Sequence, residues 1–265
     1  MYKIVDIHIH IFPDELAKKA VPLLASDAGI EPQLDGTIQA IKGSMKESGI
    51  DISVNQPIAT KPSQVRTINL WAKDITDNEI ISFGTLHPDY NGWKEEIAFI
   101  KDMGLPGVKL HPDYQSFFVD EARMFPIYEA LFQAGLVILF HAGVDIGLPS
   151  PYHCTPERLL RVIQAFPEGN IIAAHMGGYD YWDEVEKHLV GENIFFDTSY
   201  SSDHMETNRM VKIVNEHGAD KILFGTDSPW KSQKREVQAI KELPLSEEAK
   251  RLILGENALK LLSNT

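Results

Sequence analysis

Ile4-Val5-Asp6-Ile7-His8-Ile9-His10-Ile11, close to the N-terminus, is the stretch on which the reading of this chain turns. Side chains on a strand alternate between faces, so Asp6, His8 and His10 are expected on one face and Val5, Ile7, Ile9 and Ile11 on the other. The wealth of Ile and Val suits a strand packed on both sides. Two imidazoles and a carboxylate on a buried face each need a partner, or burial costs on the order of several kcal/mol. A divalent metal is one such partner, because alternate strand residues bring two imidazole nitrogens to one point. A surface strand and a hydrogen-bonded core pair are the plainer alternatives for His-x-His.

Beyond this strand the chain alternates helical and strand-like segments to its end. Helical spacing is read over residues 13–24, 37–48, 63–76, 93–103, 121–133, 156–166, 182–189, 206–217, 234–242 and 246–262. Strands are read over residues 50–54, 80–86, 107–111, 136–141, 170–175, 193–197 and 221–227. Thr155 and Gly218 stand where an N-cap and a C-cap belong. Eight strands, each followed by helix, predict an α/β fold of the (β/α)8 TIM-barrel type, a single domain over residues 1–265. A doubly wound open sheet is the runner-up, but Gly-x-Gly-x-x-Gly is absent after the first strand.

Composition narrows the partners. With 38 acidic against 25 basic residues the net charge is −13, which argues against nucleic acid and anionic membrane. No apolar run reaches the ~20 residues of a membrane span, and nothing at the N-terminus resembles a secretion signal. Cys154 is the only cysteine, so no intrachain disulfide is available. The expectation is a cytoplasmic protein acting on a small molecule, with a homodimer as the default assembly.

In a barrel of this kind functional side chains project from the C-terminal ends of the strands. His8 and His10 end the first strand, His141 the fifth, His175 the sixth and Asp227 the eighth. Val137, Leu139 and His141 are expected on one face of the fifth strand, and Ile171, Ala173 and His175 on one face of the sixth. Three imidazoles and a carboxylate suit one divalent ion, Zn²⁺ first, with Mn²⁺ or Fe²⁺ as alternatives. His87 and His111 also end strand-like segments, each followed by proline, and are candidate substrate contacts. His153, His188, His204 and His217 are read as solvated, and Cys154 is not read as a nucleophile. Tyr114, Phe117, Phe118, Tyr152, Tyr179, Tyr181, Trp182, Tyr200 and Trp230 are candidates to line a pocket for a flat or apolar substrate.

Taken as an ordered set, His8-Ile9-His10, His141, His175 and Gly225-Thr226-Asp227-Ser228-Pro229 resemble the amidohydrolase superfamily. Gly107-Val108-Lys109-Leu110-His111-Pro112, Phe140-His141-Ala142-Gly143 and Ala174-His175-Met176-Gly177-Gly178 look like its amidohydrolase-related group. That group includes the aminocarboxymuconate semialdehyde and resorcylate-type decarboxylases. The resemblance implies that His8, His10, His141 and Asp227 hold one metal. It also implies that His175 acts beside the metal as a polarising or proton-transfer group and that Asp227 carries protons. Lys109 is expected as a substrate-carboxylate anchor or a structural charge. Carboxylated and bridging two metals, with His175 a ligand, Lys109 is the alternative. Asp6 is expected either to orient a ligand histidine or to serve as a structural carboxylate.

The leading expectation is hydrolysis of a small amide, ester or lactone by metal-activated water. The alternative is nonoxidative decarboxylation of an aromatic or enoic carboxylic acid, with Lys109, Lys61 or Arg66 fixing the carboxylate. A non-catalytic barrel that keeps its metal is the third reading.

Overall fold

The structure, a computed structural model, describes residues 2–263. It is a TIM barrel of eight parallel strands. These are β1 (Val5–Ile9), β2 (Ile52–Asn55), β3 in two segments (Ile80–Ser82 and Gly84–Thr85), β4 (Gly107–Leu110), β5 (Val137–Phe140), β6 (Ile171–Ala173), β7 (Phe195–Asp197) and β8 (Ile222–Leu223). Neighbours pair in sequence order. At the break in β3 the Phe83 amide donates to the Asn55 carbonyl at 2.9 Å, keeping the bent strand beside β2. The circle closes between β8 and β1, where the Ile7 amide donates to Phe224 O (2.8 Å), Asp227 N to His8 O (2.8 Å) and His10 N to Ser228 O (2.7 Å).

Two apolar layers follow from the alternation of side chains along buried parallel strands. Val5, Ile7, Ile52, Val54, Phe83, Val137, Leu139, Ile172, Ala174 and Leu223 pack together inside the barrel. Val108, Leu110, Ile138, Phe140, Ile171, Ala173, Phe196 and Phe224 belong to the larger layer shared with the helices. Phe83 fills the interior only because Gly107 faces it: a Cβ there would stand 2.5 Å from the ring and 2.5 Å from the Val137 carbonyl. The last helix, Asn257–Ser263, sends Ala258 and Leu261 into the inner layer against the starts of the strands. Only the other end of the barrel is left for chemistry.

Helix α1 (Asp14–Ala28) follows β1, and α2 (Ile38–Ser48) precedes β2, capped by the Thr37 hydroxyl and by Gly49 in the left-handed region. Helix α3 (Val65–Asp74) follows β2. The helix expected from residue 121 starts later, at Phe125, because the Glu121 carboxylate accepts from the Phe118 amide and holds a turn there. Thr155 does occupy an N-cap position, without a capping bond from its side chain. Among the described residues no helix is long and apolar enough to cross a membrane.

The barrel also revises two of the expected faces. On β1 the register to β2 shifts between Asp6 and Ile9. Val5 and Ile7 therefore face the interior, while Ile9 and Ile11 join the outer layer. His8 and His10 reach the mouth through this irregularity, and Asp6 does not share their environment. On β6, Ile172 and Ala174 are the inward residues and Ile171 and Ala173 the outward ones. His175 is not the next residue of a regular strand: its φ of 60°, followed by 55° at Met176, turns it back toward the mouth.

Candidate metal centre and its cavity

The mouth of the barrel opens into a cavity of about 620 Å³ whose floor is made by His8, His10, Lys109, His111, His141, His175 and Asp227. The ring nitrogens there have assignable roles, because a carbonyl or carboxylate oxygen can only accept. His8 Nδ1 lies 2.9 Å from Asp197 Oδ2 and must donate to it, leaving on Nε2 a lone pair that faces Lys109 Nζ at 3.2 Å. His10 Nδ1 donates to the Gln56 carbonyl at 2.9 Å, which in the neutral ring again leaves Nε2 a lone pair. His175 Nδ1 donates to the Ser199 carbonyl at 3.0 Å, so its Nε2 is the acceptor for His141 Nδ1, 3.1 Å away. That leaves His141 Nε2, which is buried and has no hydrogen-bond partner among the described residues. A bare lone pair is cheaper to bury than an unsatisfied N–H, so the relay from Ser199 through His175 fixes the His141 tautomer.

Three imidazole lone pairs are thus presented by three locked rings. His10 Nε2 lies 3.1 Å from Asp227 Oδ1, and His8 Nε2 lies 3.6 Å from the same oxygen. Two such acceptor atoms in contact need a proton or a metal ion between them. His8, His10 and Asp227 bring their ligand atoms within 4.8 Å of one another, so this donor set fits a divalent cation. His141 falls into a second group of the same tightness, with His111 and Asp145. The expected four ligands thus divide three to one, with His141 linked to the others through the cavity floor.

Electrostatics keep the donors ready. Burial, helped by the Lys109 charge and opposed by Asp197, lowers the His8 pKa to about 4, so its ring is neutral near pH 7. Burial also holds His141 and His111 well below the usual imidazole range, with added repulsion from the Lys109 ammonium. Burial alone would raise Asp227, but its contacts with the His10 and His8 rings outweigh it and keep this carboxyl far below the ordinary range. Asp197 is likewise drawn down to about 2 by its contacts with His8, against the upward pull of burial.

Lys109 is 1% exposed, and burial lowers its pKa to about 8 against the attraction of Asp197 and Asp227. Its Nζ lies 3.2 Å from His8 Nε2. His111 donates from Nε2 to Asp145 Oδ2 (3.1 Å), accepts the Tyr114 amide at Nδ1 (3.3 Å) and stacks on His141 at 4.1 Å. Tyr114, Tyr179, Tyr200 and Trp230 line the cavity. Phe117, Phe118, Tyr152, Tyr181 and Trp182 lie outside that lining, although Trp182 Nε1 braces the His175 carbonyl at 3.1 Å. His87 is not brought to the cavity; its Nδ1 accepts the Asp89 amide at 3.1 Å. Arg66 is engaged by Glu96 at 2.9 Å, and neither it nor Lys61 lines the cavity.

Asp6 resolves toward structure. It accepts from Thr226 N (3.0 Å), Thr226 Oγ1 (2.7 Å), Gln233 Nε2 (2.9 Å) and His8 N (3.2 Å), tying β1 to the segment that carries Asp227. His217, read from sequence as solvated, is instead buried, stacked on Phe196 and bonded to the Ile194 carbonyl at 2.8 Å. Cys154 is buried and its thiol pKa is pushed well up by burial, as suits an inert thiol.

Four participants escaped the sequence reading. Asp197 ends β7 just as the recognised residues end their strands, and that position was its signal. Ser199 accepts from His8 and His175 and donates to Asp197. Gln56 acts through its backbone carbonyl, which no side-chain pattern advertises. Asp145 lies in the loop after β5, where no periodicity marks it.

A family model described as amidohydrolase matches residues 5–263. None of the curated proteins matches the chain. Among solved structures it is similar to an uncharacterised TIM-barrel protein from Bordetella bronchiseptica, with 20% identity, 99% of each chain covered and a TM-score of 0.82. It is also similar to 2,6-dihydroxybenzoate decarboxylase from Rhizobium, with 18% identity, 99% of each chain covered and a TM-score of 0.77. A third is the dihydroxybenzoic acid decarboxylase of Polaromonas with bound manganese and 2-nitroresorcinol, with 18% identity, 99% and 97% covered and a TM-score of 0.73. Both neighbours of stated activity are decarboxylases, which overturns the expectation of amide, ester or lactone hydrolysis. The zinc expectation gains no specific support, since manganese is the ion in the Polaromonas structure.

Proposed function

The chain belongs to the amidohydrolase family, and from that premise we propose that it is a metal-dependent nonoxidative decarboxylase of an aromatic or enoic carboxylic acid. The observation that carries this reading is Lys109, a buried cation on the floor of a cavity whose outer walls are apolar. Such a floor suits a carboxylate head, and such walls suit a flat hydrocarbon body. The kinship of fold with decarboxylases supports the same reading.

His8, His10, His141 and Asp227 would hold the ion, Mn²⁺ or Zn²⁺. Bound there, it supplies a Lewis acid that orients the substrate's oxygens and draws negative charge. Lys109 Nζ pairs with the substrate carboxylate and sets its position. Asp227, ionised at rest, takes up a proton at its carboxylate; being weakly basic, it gives that proton up readily. As the bond to CO2 breaks, the electron pair stays on the substrate carbon, and the Asp227 proton is delivered to it. The balance is one carboxylate and one proton in, one C–H product and CO2 out. His175 holds the His141 ring, and Asp197 holds His8.

The test is a panel of hydroxybenzoates, 2,6-dihydroxybenzoate among them, and enoic acids. Purified protein is stripped with chelator and reloaded with Mn²⁺ or Zn²⁺. We expect CO2 release from at least one acid, lost on stripping and restored by reloading. Reloaded protein that releases no CO2 from any member would end the proposal.

A further inference from the structure

Helix α1 keeps its large side chains off the core. Its buried residues are Ala17, Val21 and Ala25, all small, whereas Leu16 and Leu23 are 50% and 61% exposed. Leu16, Ala20 and Leu23 follow the i, i+4, i+7 spacing of one helix face, and all three line the cavity above the candidate centre. Helix α3 adds Ile68 and Trp71 to the same cavity. Charge is therefore segregated: the charged lining groups come from the strands and the loops after them, and α1 and α3 contribute none.

Contiguous exposed apolar surface of this kind marks a binding surface. Here it continues the cavity that ends on Lys109. The cavity of about 620 Å³ is also roughly four times the ~150 Å³ that accommodates a benzene ring. A single-ring acid held at Lys109 would leave most of it unfilled.

We propose that the substrate is a carboxylic acid bearing an extended apolar substituent, an aliphatic chain or a second ring. Its carboxylate sits at Lys109 and its apolar end lies between α1 and α3 against Leu16, Leu23, Ile68 and Trp71. The head-group half of this inference rests on the decarboxylase reading; the tail half rests on the cavity alone.

The experiment measures dissociation constants of metal-loaded protein for 4-n-alkylbenzoates, from no chain to hexyl, by calorimetry, with CO2 release followed in parallel on the matching 4-alkyl-2-hydroxybenzoates. Binding is expected to tighten about two- to fourfold per added methylene until the groove is filled. The double variant Leu16→Ser/Leu23→Ser should flatten that slope, and Leu70→Ser, on α3 but outside the cavity, should not. A flat slope in the wild-type protein overturns the inference whatever the variants do, and leaves the decarboxylase reading intact if any acid loses CO2. A steep slope without CO2 release upholds the tail site while the reaction assignment fails. Sedimentation velocity supplies the remaining outcome: a dimer abolished by Leu16→Ser/Leu23→Ser would mean that a second copy covers this face, and would also overturn the inference.

Discussion

Asp197→Asn exchanges one carboxylate oxygen for an amide nitrogen where both oxygens already accept hydrogen bonds. Oδ2 accepts from His8 Nδ1 at 2.9 Å; Oδ1 accepts from the amides of His175 (3.1 Å) and Ser199 (3.0 Å) and from the Ser199 hydroxyl. An asparagine can satisfy only one side. If its nitrogen faces Oδ1's partners, three donors meet a fourth. If its nitrogen faces His8, the ring must give up the Nδ1 proton and carry it on Nε2, which removes a metal-binding lone pair. Loss of such a supporting carboxylate costs roughly 10–100-fold in metal affinity, about 1.4–2.7 kcal/mol. The assay is calorimetric titration of stripped protein with Mn²⁺ and with Zn²⁺, alongside near-ultraviolet circular dichroism to establish the native fold. Affinity within twofold of wild type, in a variant with native dichroism, would refute the tautomer argument and the ligand assignment of His8 with it.

Lys109→Met keeps the buried stem but removes the cation. Loss of one charge-assisted hydrogen bond, about 1.5–3 kcal/mol, should raise KM about 10- to 150-fold for a substrate acid while metal content stays constant. An unchanged KM would remove Lys109 as the carboxylate anchor. Glu236 offers a stability test away from the centre: burial raises its carboxyl to about 7, from 4.5 in the unfolded chain, despite a hydrogen bond from Ser202. The folded state then binds more protons between those values, so stability falls as pH rises through the window, by on the order of 3 kcal/mol. Glu236→Gln should therefore melt several degrees above wild type at pH 8 and together with it at pH 4; equal melting temperatures at both would contradict the assignment.

How much was legible depended on whether the strand alternation held locally. On β5 it did: Val137 and Leu139 face inward and His141 extends that face into the cavity. On β1 the shared face of His8 and His10, opposite Ile9 and Ile11, was readable, but the break that separates them from Asp6 was not, because a register shift is set by pairing with β2 rather than by the sequence of β1 itself. His175 was found for a reason that does not apply. The apolar pattern Ile171, Ala173, His175 marks the helix-facing side, and only the left-handed backbone returns the imidazole to the mouth. Gln56 and Asp145 were invisible because a backbone carbonyl and an irregular loop have no period. The reaction type was misjudged because the same donors serve hydrolysis and decarboxylation, and the difference lies in what surrounds them.

His175 and Asp227 both hold their backbones at positive φ, 60° and 64°. A side chain in that region costs up to about 1–2 kcal/mol that a glycine would not incur, less for Asp and His than for most residues. The functional groups of this barrel are thus installed in positions that folding, left to itself, would give to another residue. In a lineage released from its chemistry, glycine at either site would relieve that backbone cost while giving up the buried contacts of the imidazole or the carboxylate. The order in which a decaying copy loses these residues would then report what selection had been holding in place.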